Sequence, residues 1–223
     1  MSGALVLVSG GQDSATCLAM AKKDHEQVEA LSIYYGQRHA LELEAAANLT
    51  RMAGIPHMVL DFFSLFQSLD TSSTMVKRDG DGRDVGEAHP IHKHLPSSFL
   101  PGRNYLLLGF AAIRAFNLGF HTIYTGTCQT DYSGYPDCRR SAIDAIQTAL
   151  SLAMEWHFEI LTPLMFLTKA QTVQLMVKLG CLDWYRVSHT CYNNQRPPCG
   201  KCPACILRAK GFQGAGVVDP LVG

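Results

Sequence analysis

The chain has no surplus of charge of either sign. Its 223 residues include 19 lysines and arginines and 19 aspartates and glutamates, so the formal net charge at pH 7 is zero. A protein whose main task is to grip a nucleic acid backbone needs a basic surplus or a concentrated basic stripe. The composition therefore argues against nucleic acid as a partner, and we expect small-molecule ligands.

Long hydrophobic runs are missing as well. No stretch approaches the roughly 20 apolar residues that span a membrane, although 47% of the residues are hydrophobic. Residues 1–3 are followed at once by a strand-like segment and not by the pattern of a signal peptide. We therefore expect a cytoplasmic protein with no membrane partner. In that compartment the eight cysteines are better explained as metal ligands or catalytic groups than as disulfides.

Two common phosphate-binding motifs are also absent. There is no Gly-x-x-x-x-Gly-Lys-Ser/Thr, which removes the usual lysine cradle, and no Gly-x-Gly-x-x-Gly dinucleotide fingerprint. What is present is Ser-Gly-Gly-Gln-Asp-Ser at residues 9–14, between an aliphatic strand at residues 5–8 and a segment of helical composition. A strand, a glycine turn and a helix N-terminus favour phosphate, because backbone N–H groups and the helix dipole converge there.

Residues 9–14 resemble the pyrophosphate loop of the ATP pyrophosphatase (PP-loop) superfamily, whose members cleave ATP between its α- and β-phosphates and adenylate a substrate. The hydroxyls of Ser9 and Ser14 would add donors, and Asp13 would hold Mg²⁺ against phosphate oxygens. The alternative is a Gly-Gly turn that binds no ligand. The resemblance implies ATP contacts at Val8, Ser9, Gly10, Gly11, Gln12, Asp13, Ser14, Ala15, Thr16, Cys17 and Leu18.

Strand-like and helix-like segments alternate along the chain. This pattern predicts an α/β fold with a parallel, Rossmann-like sheet, in which ligands bind at the carboxyl ends of the strands. Ser9 and the segment after Thr125 would meet there. We predict further strands at residues 28–35, 57–60 and 122–125, and helices at 40–54, 106–118, 141–154 and 168–179, the last one capped by Thr168.

The periodicity fails between residues 69 and 102, a glycine- and proline-rich stretch that we interpret as a lid or mobile loop. It contains His89, His92 and His94, but a mobile loop without a nearby cysteine is a poor metal cage. We expect residues 1–186 to form the ATP-binding domain and residues 187–223 to form a small C-terminal element packed on the same domain.

Four cysteines near the C-terminus have the spacing of a metal site. Two overlapping Cys-x-x-Cys knuckles and one remote cysteine supply four thiolates, a closed tetrahedral set for one structural Zn²⁺ per chain. An iron–sulfur cluster is the alternative, because closely spaced cysteines also hold such clusters. The predicted ligands are Cys191, Cys199, Cys202 and Cys205.

A polar loop with two carboxylates, two tyrosines and two arginines follows the predicted strand at 122–125. Aromatic faces stack planar bases, and a carboxylate accepts two N–H donors from a guanine-type edge. The alternative is a turn whose aspartates and arginines pair with each other. The predicted base contacts are Asp131, Tyr132, Tyr135, Pro136, Asp137 and Arg140.

Five segments occur here in one order: residues 9–14, 35–39, 101–104, 131–139 and the four-cysteine tail. Together they closely resemble the 7-cyano-7-deazaguanine synthase family of queuosine precursor biosynthesis, over nearly the whole chain. The motif at 131–137 and the cysteine tail are specific to that family, whereas the phosphate loop is not. No motif position departs from the pattern.

The resemblance implies a ligase that converts 7-carboxy-7-deazaguanine and ammonia to the nitrile, with ATP cleaved to AMP and pyrophosphate through an adenylated acid and an adenylated amide. It also implies a homodimer, which the residues themselves do not indicate. Lys169 matches a basic position of the superfamily, and the alternative is an exposed lysine at a helix start. Arg103, which a rigid turn brings to a predicted helix start, would pair with phosphate, and the alternative is an ordinary surface arginine. The implied catalytic residues are Ser9, Asp13, Ser14, Lys169 and Arg103.

Three other functions remain open at this stage. A tRNA-thiolating enzyme of the same superfamily would use Cys128 and Cys138 as nucleophiles, although the neutral charge argues against it. A related ligase of secondary metabolism or DNA modification would make the same nitrile. A non-enzymatic, zinc-stabilised binding module would keep only a relic of the phosphate loop.

Overall fold

The protein is described here from a computed structural model, which covers residues 2–37, 40–69, 73–74, 88–89, 91–129 and 135–222. Its strands are β1 (Gly3–Leu7), β2 (Gln27–Tyr34), β3 (His57–Asp61), β4 (Thr122–Tyr124) and β5 (Glu159–Leu161). Its α-helices are α1 (Gln12–Asp24), α2 (Ala40–Ala53), α3 (Phe63–Ser68), α4 (Arg103–Leu118), α5 (Arg140–Ala153), α6 (Lys169–Lys178) and α7 (Pro203–Ala215), with 3₁₀ turns at Pro136–Cys138 and Leu182–Val187.

The five strands form one parallel sheet in the order β3-β2-β1-β4-β5. In the centre, Val6 of β1 pairs with Ala30 of β2 on one side and with Tyr124 of β4 on the other. The chain therefore first builds outward from β1 and later returns to its other edge. A crevice opens outside the carboxyl ends of the strands where the order reverses, and ligands of such sheets bind there.

The apolar residues of the central strand alternate between two cores. Leu5 packs with Leu108 of α4 and Ile143 of α5, whereas Val6 packs with Leu18 of α1 and Leu49 of α2. One layer of helices thus covers each face of the sheet. Each fully buried aliphatic side chain contributes about 1.5–3 kcal/mol to the free energy of unfolding. The resulting rigid sheet fixes the loops at its carboxyl edge.

The predicted α/β fold with a parallel sheet is confirmed. Thr168 caps α6 in a capping box, in which its hydroxyl accepts from the Gln171 N–H and the Gln171 side chain accepts from the Thr168 N–H. The sequence did not predict β5, α3 or α7. Half of residues 69–102, including the acidic run at 79–84, lies outside the described residues, so the lid stays a prediction.

The C-terminal helix α7 packs closely on α6. A Cβ on Gly211 would lie 2.9 Å from the Cβ of Lys169, so only glycine permits this approach. The buried guanidinium of Arg208 donates to both carboxylate oxygens of Asp219, at 2.6 and 2.8 Å, and to the Ser188 hydroxyl at 2.8 Å. Within the described part of the chain, no helix combines the length and apolarity that crossing a membrane requires.

Candidate active site

The phosphate loop at residues 9–14 connects β1 to α1, as the sequence predicts. Gly10 has φ +88°, and a Cβ there would lie 2.1 Å from the Glu42 carbonyl oxygen of α2. The Ser14 hydroxyl donates to the Gly11 carbonyl at 3.0 Å, and the Ser9 hydroxyl donates to the Ser14 hydroxyl at 3.3 Å. Because α1 begins at Gln12, its first N–H groups and its positive dipole end face this turn.

The loop borders a cavity of about 600 Å³ at the carboxyl edge of the sheet, a size typical of small-molecule sites. Loop residues that line it are Val8, Ser9, Gly11, Gln12, Asp13 and Ser14. The next four predicted ATP contacts behave differently. Ala15, Thr16, Cys17 and Leu18 are fully buried in α1, where they support the loop from behind.

Lys169 lies opposite the loop, in the first turn of α6. Its Nζ donates to both carboxylate oxygens of Asp13, at 2.7 and 2.6 Å. These residues are 156 positions apart in the sequence, yet both line the same cavity. The ion pair places a cation and a carboxylate at the mouth of the phosphate loop, which is where the sequence assigned both.

Arg103 begins α4 and faces the cavity with Tyr35 and Tyr135. Its guanidinium lies 5.4 Å from the centre of the Tyr135 ring, and the Tyr135 hydroxyl is 2.5 Å from the Ser98 hydroxyl. Burial alone would lower the pKa of Arg103, but Tyr35 and Cys138 are among the neighbours that outweigh it, so its pKa is raised and the group stays charged. This part of the cavity combines an aromatic surface with a fixed positive charge.

The other described residues that were predicted to bind the base, Pro136, Asp137 and Arg140, do not line the cavity. The Asp137 carboxylate accepts from the Asn104 backbone N–H at 3.0 Å and so satisfies a donor in the first turn of α4. Arg140 pairs with Asp144 one turn along α5 and donates to the Thr162 hydroxyl at 2.8 Å. Pro136 opens a 3₁₀ turn. Asp131 and Tyr132 lie outside the described residues.

Four residues that line the cavity carry a buried polar side-chain atom with no hydrogen-bond partner among the described residues: Gln12 Nε2, Thr127 Oγ1, His189 Nε2 and Thr190 Oγ1. Burial and the nearby Arg196 lower the pKa of His189, so its ring is neutral at pH 7. The His189 backbone N–H also donates to the Gly10 carbonyl at 2.9 Å. The sequence predicted Gln12 as an ATP contact, but it assigned no role to Thr127, His189 or Thr190.

The four C-terminal cysteines converge. Their sulfur atoms all lie within 4.8 Å of one another, close to the roughly 3.8 Å edge of a tetrahedron with metal–sulfur bonds of about 2.3 Å. Hydrogen bonds from the backbone N–H groups of Lys201 and Cys202 hold the pKa of Cys199 below its usual range, although burial opposes part of this shift. Within the described part of the chain, these four cysteines are the group that could hold a metal ion. The described histidines at residues 89–94 belong to no such group.

Comparison with known proteins places this chain in a family. The model of the family described as queuosine biosynthesis protein QueC matches residues 3–216. The chain belongs to the QueC family. The 7-cyano-7-deazaguanine synthase of Laribacter hongkongensis is 46% identical over 98% of this chain and 93% of its own. The enzyme of the same name from Bacillus subtilis is 43% identical over 94% and 93%.

A solved structure from Methanocaldococcus jannaschii supports the fold of this QueC-family chain. It is described as a predicted subunit of a tRNA methyltransferase, and it superposes with a TM-score of 0.51 at 19% identity, covering 81% of this chain and 75% of its own. At that identity the likeness shows the fold alone.

Proposed function

We propose that this chain is an ATP-dependent ligase that converts 7-carboxy-7-deazaguanine and ammonia to 7-cyano-7-deazaguanine. The observation that carries the proposal is one cavity lined by two chemically different groups of residues, taken together with the family. The phosphate loop and Lys169 form one group, and Arg103 and Tyr135 form the other. A reaction that joins a planar, negatively charged base to a nucleotide needs both kinds of surface.

The loop would act in two adenylation rounds. In the first, a carboxylate oxygen of the substrate attacks the α-phosphorus of ATP and pyrophosphate leaves; ammonia then displaces AMP and gives the amide. In the second, the amide oxygen attacks the α-phosphorus of another ATP, and loss of AMP and the remaining N–H protons leaves the nitrile. Negative charge develops on the leaving pyrophosphate both times, so one set of fixed donors serves both rounds.

Lys169 and Asp13 would divide the electrostatic work. The Lys169 Nζ lies 2.6–2.7 Å from the carboxylate oxygens of Asp13. Its ammonium would turn toward the pyrophosphate as the bond to the α-phosphorus breaks and negative charge accumulates on the leaving group. Asp13 would then be free to hold Mg²⁺, which prefers carboxylate and phosphate oxygens. Ser9 and Ser14 would donate hydroxyl groups to the same phosphates, and Arg103 would neutralise the carboxylate of the base.

The cysteine cluster would hold one structural Zn²⁺ through Cys191, Cys199, Cys202 and Cys205. Four thiolates fill the tetrahedral set, so no position remains for substrate. Residues 187–223 would then form the zinc-binding element of the domain at residues 1–186. On the strength of the family resemblance, we further propose that the chain forms a homodimer and works in the cytoplasm. Equilibrium sedimentation of the purified protein tests the homodimer.

The decisive experiment offers the protein 7-carboxy-7-deazaguanine, ATP and ammonium. Nitrile and AMP in a ratio of about one to two, identified by mass spectrometry, support the proposal. Absence of nitrile from folded protein that binds ATP refutes it. The tRNA-thiolase alternative instead requires Cys128 and Cys138 as nucleophiles. Burial raises the pKa of Cys138, opposed in part by Arg103, which keeps it a poorly reactive thiol. Cys138→Ser should therefore retain nitrile formation.

A further inference from the structure

Glu42 has no role in the two adenylation rounds of the proposed reaction. It lies in the first turn of α2 and lines the cavity together with Arg103 and the phosphate loop. Its position is fixed from behind, because its backbone carbonyl packs against Gly10. Its carboxyl forms no hydrogen bond with any described residue.

Among the described residues, the charged and titratable neighbours of this carboxyl come from three parts of the fold. They are Arg103 of α4, Tyr35 after β2 and Tyr192 in the segment that enters the cysteine cluster. Burial raises the pKa of Glu42 to about 8, and Arg103 opposes that rise. Since hydrogen bonds to a carboxylate favour its charged form, a ligand that supplies N–H donors here would bind the ionised group.

Other carboxyl groups near the cavity are already occupied. Of the described residues that line it, Asp13 and Glu42 carry carboxyl groups, and Lys169 binds both oxygens of Asp13. Asp137 is outside the lining and accepts from the Asn104 N–H. Glu42 is therefore the carboxyl among these residues that remains available to a ligand.

We propose that Glu42 determines base specificity by accepting hydrogen bonds from the N1–H and the 2-amino group of the 7-deazaguanine ring. The inference rests on the proposed function and assigns the residue that reads the base. Two carboxylate oxygens match two adjacent N–H donors, and the aromatic side chains of Tyr35 and Tyr135 line the same cavity.

The same carboxylate would discriminate against adenine, the other purine-like ring that the reaction brings to the cavity. Adenine offers one amino donor beside the lone pair of N1, and a carboxylate facing that edge meets a lone pair with a lone pair. Specificity of this kind comes from the mismatch as much as from the match. Glu42 would therefore keep ATP and the acid in their separate positions.

The test measures binding of two ligands to Glu42→Gln by calorimetry. One is 7-carboxy-7-deazaguanine, and the other is its analogue without the 2-amino group. The unaltered protein should prefer the first by at least roughly tenfold. In Glu42→Gln an amide N–H faces a ligand N–H, so affinity for the acid should fall at least roughly tenfold while affinity for the analogue changes little, and the preference disappears.

The matched control is Glu44→Gln, on the exposed side of the same helix, where Glu44 pairs with Arg196. It should keep the tenfold preference. ATP affinity and the thermal midpoint of Glu42→Gln should stay near those of the unaltered protein, which shows that the variant is folded. Retained preference in Glu42→Gln, or an equal loss of ATP affinity, overturns the assignment of Glu42 even if the protein makes the nitrile. Absence of nitrile formation in the unaltered protein instead overturns the proposed function.

Discussion

Two adjacent glycines of the phosphate loop should respond very differently to the same substitution. Gly10 has φ +88°, and a Cβ there would lie 2.1 Å from the Glu42 carbonyl and 2.7 Å from the Ala46 nitrogen. Gly11 has φ −79°, and its nearest contacts to an added Cβ are the Ser9 hydroxyl at 3.4 Å and the His189 carbonyl at 3.7 Å. The first site is closed by backbone, whereas the second has ordinary van der Waals room.

The cost of Gly10→Ala has two parts. A left-handed backbone costs a residue with a Cβ about 1–2 kcal/mol, and forcing α2 away from the loop costs about 1–3 kcal/mol more, as in overpacked cores. We expect the free energy of unfolding to fall by about 2–5 kcal/mol, which lowers the thermal midpoint of a chain of this length by roughly 4–20 °C. Gly11→Ala should change the free energy of unfolding by less than about 0.5 kcal/mol.

Urea unfolding followed by circular dichroism measures both variants under one set of conditions. Gly10→Ala should also bind ATP poorly, because a displaced α2 distorts the turn that holds the phosphates. Equal stability losses in the two variants would refute the reasoning, since the left-handed backbone and the close approach of α2 are both features of Gly10 and not of Gly11. Gly11→Ala is a control for stability but not for ATP binding, because Gly11 itself belongs to the phosphate loop.

Three further predictions test other parts of the site. Asp13→Ala and Ser14→Ala should abolish AMP production while the circular dichroism spectrum and thermal midpoint stay near normal, because both residues touch the phosphate loop and not the core; AMP formed near the unaltered rate contradicts this. Cys202→Ser should lose both zinc, by elemental analysis, and stability, because it leaves an open, undercharged site; full zinc occupancy, or iron with acid-labile sulfide, contradicts this. Asp137→Ala should lower the free energy of unfolding in urea by about 1 kcal/mol, because the Asn104 N–H loses its acceptor; an unchanged value contradicts this.

Local signals in the sequence were sufficient for the long elements. The aliphatic run before two glycines predicts β1, the phosphate loop and the start of α1, and Thr168 with Gln171 marks the start of α6. The elements that the sequence did not predict are short or lie inside another motif. Strand β5 has three residues and α3 has six, too few to show a period, and α7 begins within the cysteine cluster at Pro203.

The composition of the central motif predicted a rich cavity edge, but it did not predict which carboxylate faces the cavity. Asp137 lies 33 residues from Asn104 in the sequence, so its place at the start of α4 depends on tertiary packing that no local pattern encodes. Glu42 carries no motif either, and as an acidic residue in a first helical turn it matches an ordinary preference for the helix dipole. Its position in the cavity follows from the contact between α2 and Gly10.

The cysteine cluster is connected to the phosphate loop through the backbone. The His189 N–H donates to the Gly10 carbonyl at 2.9 Å, two residues before the ligand Cys191. On the other side of that ligand, Asn194 Oδ1 accepts from the Leu41 N–H at 3.1 Å, at the start of α2. The segment that leads into the cluster therefore braces both the loop and the helix that packs on it. A metal held by this cluster would in this way position the phosphate loop, because it would anchor Cys191 in the segment between the two contacts.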